Sequence, residues 1–194
     1  MARPKEFDPD EALDQAMHVF WHKGYEATSM EDLLAAMDIN RGSLYATFGD
    51  KHELFLKAMD RYCAGGGIGS RLSILTQPGP ALPLIRRFIG AMLDFGLSDP
   101  LRRGCLITNT VMELAPHEKD IARTLSGRLR MAEEAFCTLL TRAQQEGDLP
   151  KEKDPRALAR FLTTMMQGTI VMIKAGIPAE QIRQTADTAL SILD

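Results

Sequence analysis

The sequence predicts an all-α fold of about nine helices, and three observations carry that prediction. Apolar residues recur at three- and four-residue spacings through most of the chain. Prolines and glycines fall largely between those runs, where helices start and stop. No segment shows the two-residue alternation of a convincing strand. At 194 residues the chain is long enough for one or two domains with a sizeable core.

The opening MARPKEF is a short basic arm. Arg3 and Lys5 either fray with the terminus or reach a duplex backbone or minor groove. Asp8 caps the first helix with Pro9 at its first position, and Gly24 stops it after about Lys23. Leu13, Ala16, Met17, Phe20 and Trp21 form its buried side. His18 and His22 share one face with Asp14, but no third ligand stands at motif spacing, so no metal or cofactor is expected.

Thr28 or Ser29 caps the next helix, with Glu31 and Asp32 in its first turn and Met30, Leu33, Leu34 and Met37 as its apolar stripe. Asp38-Ile39-Asn40 breaks the pattern. Asn40 then caps a helix from Arg41 to about Phe48, with Leu44, Tyr45 and Phe48 at its apolar or half-apolar positions. Short helix, three-residue turn and short helix fit the helix-turn-helix, whose second helix enters the DNA major groove. Arg41, Ser43, Ala46 and Thr47 would face outward, small or polar enough for a close approach to base edges. Spacing alone equally fits any two-helix hairpin.

The run Thr28-Ser29-Met30, Leu33-Leu34-Ala35-Ala36, Gly42-Ser43-Leu44-Tyr45, Phe48, Asp50-Lys51 and Glu53-Leu54 resembles the N-terminal domain of the TetR/AcrR family of bacterial regulators. The resemblance spans about Pro9 to Met59; Thr47, where an aromatic residue or His is commoner, and Gly49 depart from it. It implies a helix-turn-helix DNA-binding domain over 1–52, a linking fourth helix at about 51–64, and an effector-binding and dimerisation domain over 65–194. It further implies a homodimer on a pseudo-palindromic, double-stranded operator, touched by Thr28, Asn40, Arg41, Gly42, Ser43, Tyr45, Thr47 and Lys51. A small effector would release it, which makes the expected outcome repression.

Charge pulls the other way. The net charge is −3, and the first 52 residues hold five basic against ten acidic side chains, a net of −5. Asp8, Asp10, Glu11 and Asp14 belong to the first helix, while Arg41 and Lys51 sit on the expected contact face with Asp50 nearby. Affinity should rest on a few phosphate contacts and weaken sharply with salt.

Lys51 to about Cys63 reads as a helix with Leu54, Phe55, Ala58, Met59 and Tyr62 on its apolar side. Gly65 to Ser70 reads as a flexible joint, since no Gly-Lys-Ser/Thr closes a phosphate cradle there. Further helices are expected at Leu84 to Leu97, Leu101 to Leu114, about Glu118 to Glu146, Pro155 to Ala175, and Pro178 to Leu193.

The last two helices are unusually apolar. Leu158, Phe161, Leu162, Met165, Thr169, Met172 and Ile173 line one, and Ile182, Ala186, Ala189, Leu190 and Leu193 line the other. They read as intrachain core or, with the family resemblance, as a four-helix dimer interface. Phe88, Met92, Phe95, Met112, Phe136, Met165 and Met166 read either as core or, with Asn109, Glu113 and Gln167, as a cavity for a small, largely apolar or electrophilic effector. Cys105 follows Arg102-Arg103-Gly104 near a helix start, a setting that favours a reactive thiolate; a small buried residue is the plainer alternative. Cys63 and Cys137 read as structural.

Three cysteines far apart suit a reducing compartment, and no leader or spanning apolar run is evident, so a soluble cytoplasmic protein without membrane contact is expected. No nucleophile elbow, metal pair or nucleotide loop supports an enzyme. Two rivals to the effector-released repressor remain open here: a thiol-based redox or electrophile sensor acting through Cys105, and a helical effector-binding protein that has lost DNA binding.

Overall fold

The computed structural model describes residues 7–66 and 69–194; the basic arm with Arg3 and Lys5, and residues 67–68 of the expected joint, lie outside them. All regular structure among the described residues is helical. The helices are α1 (Pro9–Lys23), α2 (Met30–Met37), α3 (Arg41–Phe48), α4 (Lys51–Arg61), the single turn α5 (Gly69–Leu72), α6 (Ala81–Ser98), α7 (Leu106–Glu113), α8 (Lys119–Glu146), α9 (Pro155–Lys174) and α10 (Ala179–Leu190). A π-helical turn, Tyr62–Gly66, continues α4 where the sequence suggests a flexible joint. The chain divides into two compact units, one ending at Gly67 and the other beginning at Ile68.

In the first unit, each helix start is fixed by a side chain. Asp8 accepts from the Asp10 amide at 2.8 Å, Asn40 from the Ser43 amide at 2.8 Å, and Asp50 from the Glu53 amide at 2.8 Å. Ser29 and Asp32 form a reciprocal capping box on α2, with both bonds at 3.0 Å. Gly24, at φ 84°, and Gly49, at φ 83°, end α1 and α3, and Asp38 ends α2 in the left-handed region at φ 50°. α1, α2 and α4 pack around Phe20, Leu33, Leu54, Phe55 and Tyr62, all essentially without exposure. Phe20 meets Phe55 and Trp21 meets Tyr62 edge to face, each pair at 5.1 Å. On α1 the buried stripe includes Ala12, whereas Leu13 is only half-buried. α4, which the sequence sets apart as a link, packs on α1 within this unit.

The second unit is built on α6, α8, α9 and α10, with Phe88 against Phe136 at 5.5 Å in its centre. α6 starts at Ala81, before the expected Leu84, because Pro80 takes the cap position and Pro83 sits in the first turn, where a missing amide is harmless. α7 starts at Leu106, not at Leu101 as expected. The Asp99 carboxylate accepts from the amides of Leu101 at 3.2 Å and Arg103 at 2.8 Å and pairs with Arg103 Nε at 3.0 Å. Arg102 at φ 48° and Gly104 at φ 73° complete the loop. Burial pushes the Asp99 carboxyl up, but its bonds to Arg103 and Leu101 outweigh that and hold it below the ordinary 3.8.

Asp32 carries the clearest pH dependence of the first unit. Its bond to Lys23, at 2.6 Å, and its bonds with Ser29 lower its carboxyl from 3.8 to about 2. A depressed acid contributes stability that is full above 3.8 and is lost as pH falls through about 2. Asp32→Asn should therefore lower the unfolding midpoint at neutral pH and flatten its decline between 4 and 2. Chemical unfolding followed by helical circular dichroism across that range checks both.

Candidate nucleic-acid interface

α3 is eight residues long, too short to hold itself in water, so its packing decides what it presents. Leu44 and Phe48, one turn apart, are buried. Arg41, Gly42, Tyr45 and Ala46 are exposed, and Ser43 and Thr47 are half-exposed. Tyr45 stands half in solvent although it shares the half-apolar pattern of the helix. A Cβ on Gly42 would come within 3.3 Å of Asn40 Oδ1, the atom that caps the helix, so a larger residue there would push on the cap. Lys57 Nζ donates to the Phe48 carbonyl at 2.8 Å and ties the far end of α3 to α4.

The cations described in this unit each have a partner. Arg41 Nη2 donates to Glu31 Oε1 at 2.9 Å, and Lys51 Nζ lies 4.5 Å over the Tyr25 ring. Arg61 grips Asp14 through Nε and Nη2 at 2.8 and 2.7 Å; that pairing holds the Asp14 carboxyl below its ordinary value. Sequence reasoning missed the Arg41–Glu31 pair, since the partners are ten residues apart on different helices. It also placed Thr28 among the DNA contacts. Thr28 is buried and its hydroxyl donates to the Gly24 carbonyl at 2.5 Å, so it braces the α1–α2 turn and leaves the outward face. No cluster of metal ligands occurs among the described residues, and His18 stacks near Trp21.

The residues suggested for an effector cavity differ in burial and in partners. Phe88, Met92, Phe136 and Met166 are packed in the second unit's core. Phe95 lies under the Arg71 guanidinium at 3.7 Å, and Met112 is 73% exposed. Asn109 is held between the Arg103 carbonyl and Lys174 Nζ, both at 2.9 Å, and Gln167 accepts from the Thr108 hydroxyl at 2.6 Å. Glu113 and Met165 are half-buried. Met112 is thus a correction: α7 turns it outward while Leu106, Ile107 and Thr110 face in. Cys105 is buried at the start of α7, with the Arg103 guanidinium engaged by Asp99.

The apolar stripes of the last two helices also need re-sorting. Leu158, Leu162, Thr169 and Ile173 of α9, and Ile182, Ala186, Ala189, Leu190 and Leu193, are buried within the single chain. Phe161 and Met172 remain outside, joined by Val171 and Ile192, which sequence reasoning left out. α9 is apolar on two sides: Phe161, Gly168, Val171 and Met172 form an outer stripe at helical spacing. A Cβ on Gly168 would meet nothing within 4 Å, so that stripe has an open notch.

The family model for bacterial regulatory proteins of the tetR family matches residues 12–58, and that for the tetracyclin repressor-like C-terminal domain matches 81–189. The chain is 34% identical to the HTH-type transcriptional repressor ComR of Escherichia coli K12, over 98% of this chain and 90% of that one. It is 36% identical to the HTH-type transcriptional regulator YezE of Bacillus subtilis 168, over the whole of both. Among solved structures, a cysteine-substituted TetR family regulator, CifR, bound to a 26-bp operator duplex, superposes with a TM-score of 0.89 at 31% identity, covering 100% of both chains.

Burial orders the thiols. Cys63 is half-buried, whereas Cys105 and Cys137 are buried. In the folded protein a maleimide should label Cys63 first, with Cys105 and Cys137 following only as the second unit opens. Mass spectrometry of timed samples reads the order.

Proposed function

Because the chain belongs to the tetR family of bacterial regulatory proteins, we propose that it is a homodimeric repressor that a small effector releases from a pseudo-palindromic operator. The observation that carries the proposal is α3 itself. Its exposed Arg41 and Tyr45 and half-exposed Ser43 and Thr47 are mounted on the buried Leu44 and Phe48, the arrangement a recognition helix needs to enter a major groove. Asn40 and Gly42 shape its leading end, and Lys51 opens α4 beside it for a phosphate. Relatives named as repressors and a neighbour bound to operator DNA support the same reading.

On this reading the first unit binds DNA and the second dimerises and takes the effector. The outer stripe of α9 would pair with its twofold mate, setting two recognition helices about 34 Å apart to match one turn of duplex. An effector would favour a dimer in which that separation no longer fits, a coupling between two sites. The adaptable Met92, Met165 and Met166, with Phe95, suit a small, largely apolar ligand. A thiol input at Cys105 is less favoured, because reagent would first have to open the buried start of α7. We assign no catalytic role and place the protein in the cytoplasm with its DNA. No helix among the described residues is long and apolar enough to cross a membrane.

Arg41→Ala and Tyr45→Ala should each weaken binding to a duplex from the protein's own promoter region by about tenfold or more, the scale of one good base contact. Size-exclusion chromatography should show the dimer unchanged. Retained binding by both variants would remove α3 from the contact, and no binding by wild type at low salt would favour a protein that has lost DNA recognition. Phe161→Glu or Met172→Glu should instead yield a monomer by light scattering and weaken operator binding with α3 intact.

A further inference from the structure

The first unit meets a polyanion with few cations, and each one described in its first 52 residues is already held. Lys23 is bound to Asp32 at 2.6 Å, Lys51 lies over Tyr25 at 4.5 Å, and Arg41 is bound to Glu31 at 2.9 Å. The Asp32 carboxylate has a task in the fold, since it completes the capping box of α2. Glu31 takes no part in that box, although its place in the first turn suits the helix dipole. Ser29 and Asp32 already satisfy the helix start, and the Glu31 side chain is 76% exposed. An exposed carboxylate beside a recognition helix opposes DNA unless it organises a cation, and the cation it organises is the arginine at the leading end of α3.

We propose that Glu31 is a specificity-determining positioning residue: it holds Arg41 aimed at base edges and withholds that charge from backbone phosphates. The inference rests on the DNA-binding reading above. A guanidinium carries five N–H donors in one rigid plane, so a bond from Nη2 to Glu31 tethers one edge of it and leaves the other donors for a base. An arginine whose charge is already balanced displaces few counterions at a phosphate. It adds little to sequence-independent affinity while keeping its base contacts. Glu31 thereby lowers binding to the wrong duplex more than binding to the right one.

The test compares a duplex selected from a randomised pool by the wild-type dimer with a random duplex of equal length. Affinity is measured by fluorescence anisotropy between about 50 and 200 mM salt. Proteins are wild type, Glu31→Gln, Arg41→Ala and the double variant, each checked for helical circular dichroism. Glu31→Gln should steepen the log–log salt slope for the random duplex by about 0.9, so that its advantage over wild type is roughly threefold larger at about 50 mM than at about 200 mM. At the low-salt end the ratio of selected to random affinity should fall by up to roughly threefold, and both effects should vanish when Arg41 is absent. Equal tightening on both duplexes, or the same gain in the Arg41→Ala background, would make Glu31 a bare repulsive charge and overturn the proposal. No change in slope or ratio would overturn it too. A wild-type dimer that selects nothing and binds neither duplex at low salt would instead sink the DNA-binding reading, and the inference with it.

Discussion

The burial of Leu44 and Phe48 is the constraint from which the rest of the interface follows. An eight-residue helix has almost no stability of its own, so its orientation is whatever its two buried side chains impose. Their burial puts Gly42, Ser43 and Ala46 on the opposite side of the helix, and Arg41 and Tyr45 reach solvent at the margin of the buried stripe. The Asn40 cap and the Lys57 bond to the Phe48 carbonyl then fix both ends of the helix. Removing a large buried side chain of this kind typically costs about 3–5 kcal/mol, a large part of a small unit's stability. The outer face of α3 and the core of the first unit are two sides of one packing solution.

α9 shows the same logic with the opposite difficulty. Its periodicity declared an apolar helix, but a helix with apolar residues on two sides does not declare which side meets its own chain. The fold resolves it: Leu162, Thr169 and Ile173 go inward, and Phe161, Val171 and Met172 are left outside. The residues first read as one interface were mostly core. The outer stripe was legible only after the core had been subtracted from it.

What the sequence made legible was whatever depends on neighbours in the chain. Asp8, Ser29, Asn40 and Asp50 bond amides two or three residues away, so the helix starts of the first unit could be read directly. The late start of α7 was not legible: Asp99 competes with the helix by taking the Leu101 and Arg103 amides, in a segment whose composition alone reads as helical. Thr28 came among the DNA contacts through the resemblance; in the fold Ser29 caps α2 and the Thr28 hydroxyl closes the turn beneath it. Arg41 was correctly placed on the outer face, but its tie to Glu31 belongs to the packing of α2 against α3 and has no local signature.

The electrostatics give the dimer its importance on this reading. With five basic against ten acidic residues in its first 52, one unit alone has little long-range pull on a duplex. Binding must then come from short-range contacts at two half-sites engaged together, where the second contact is made at the high effective concentration set by the first. Such a system is weak in either half and strong only when the spacing fits. An effector therefore need not touch α3 or unfold anything: a shift in separation that breaks simultaneous engagement forfeits the whole gain of bivalency. A strongly basic domain would cling to the backbone through such a shift. A sparsely charged one lets go.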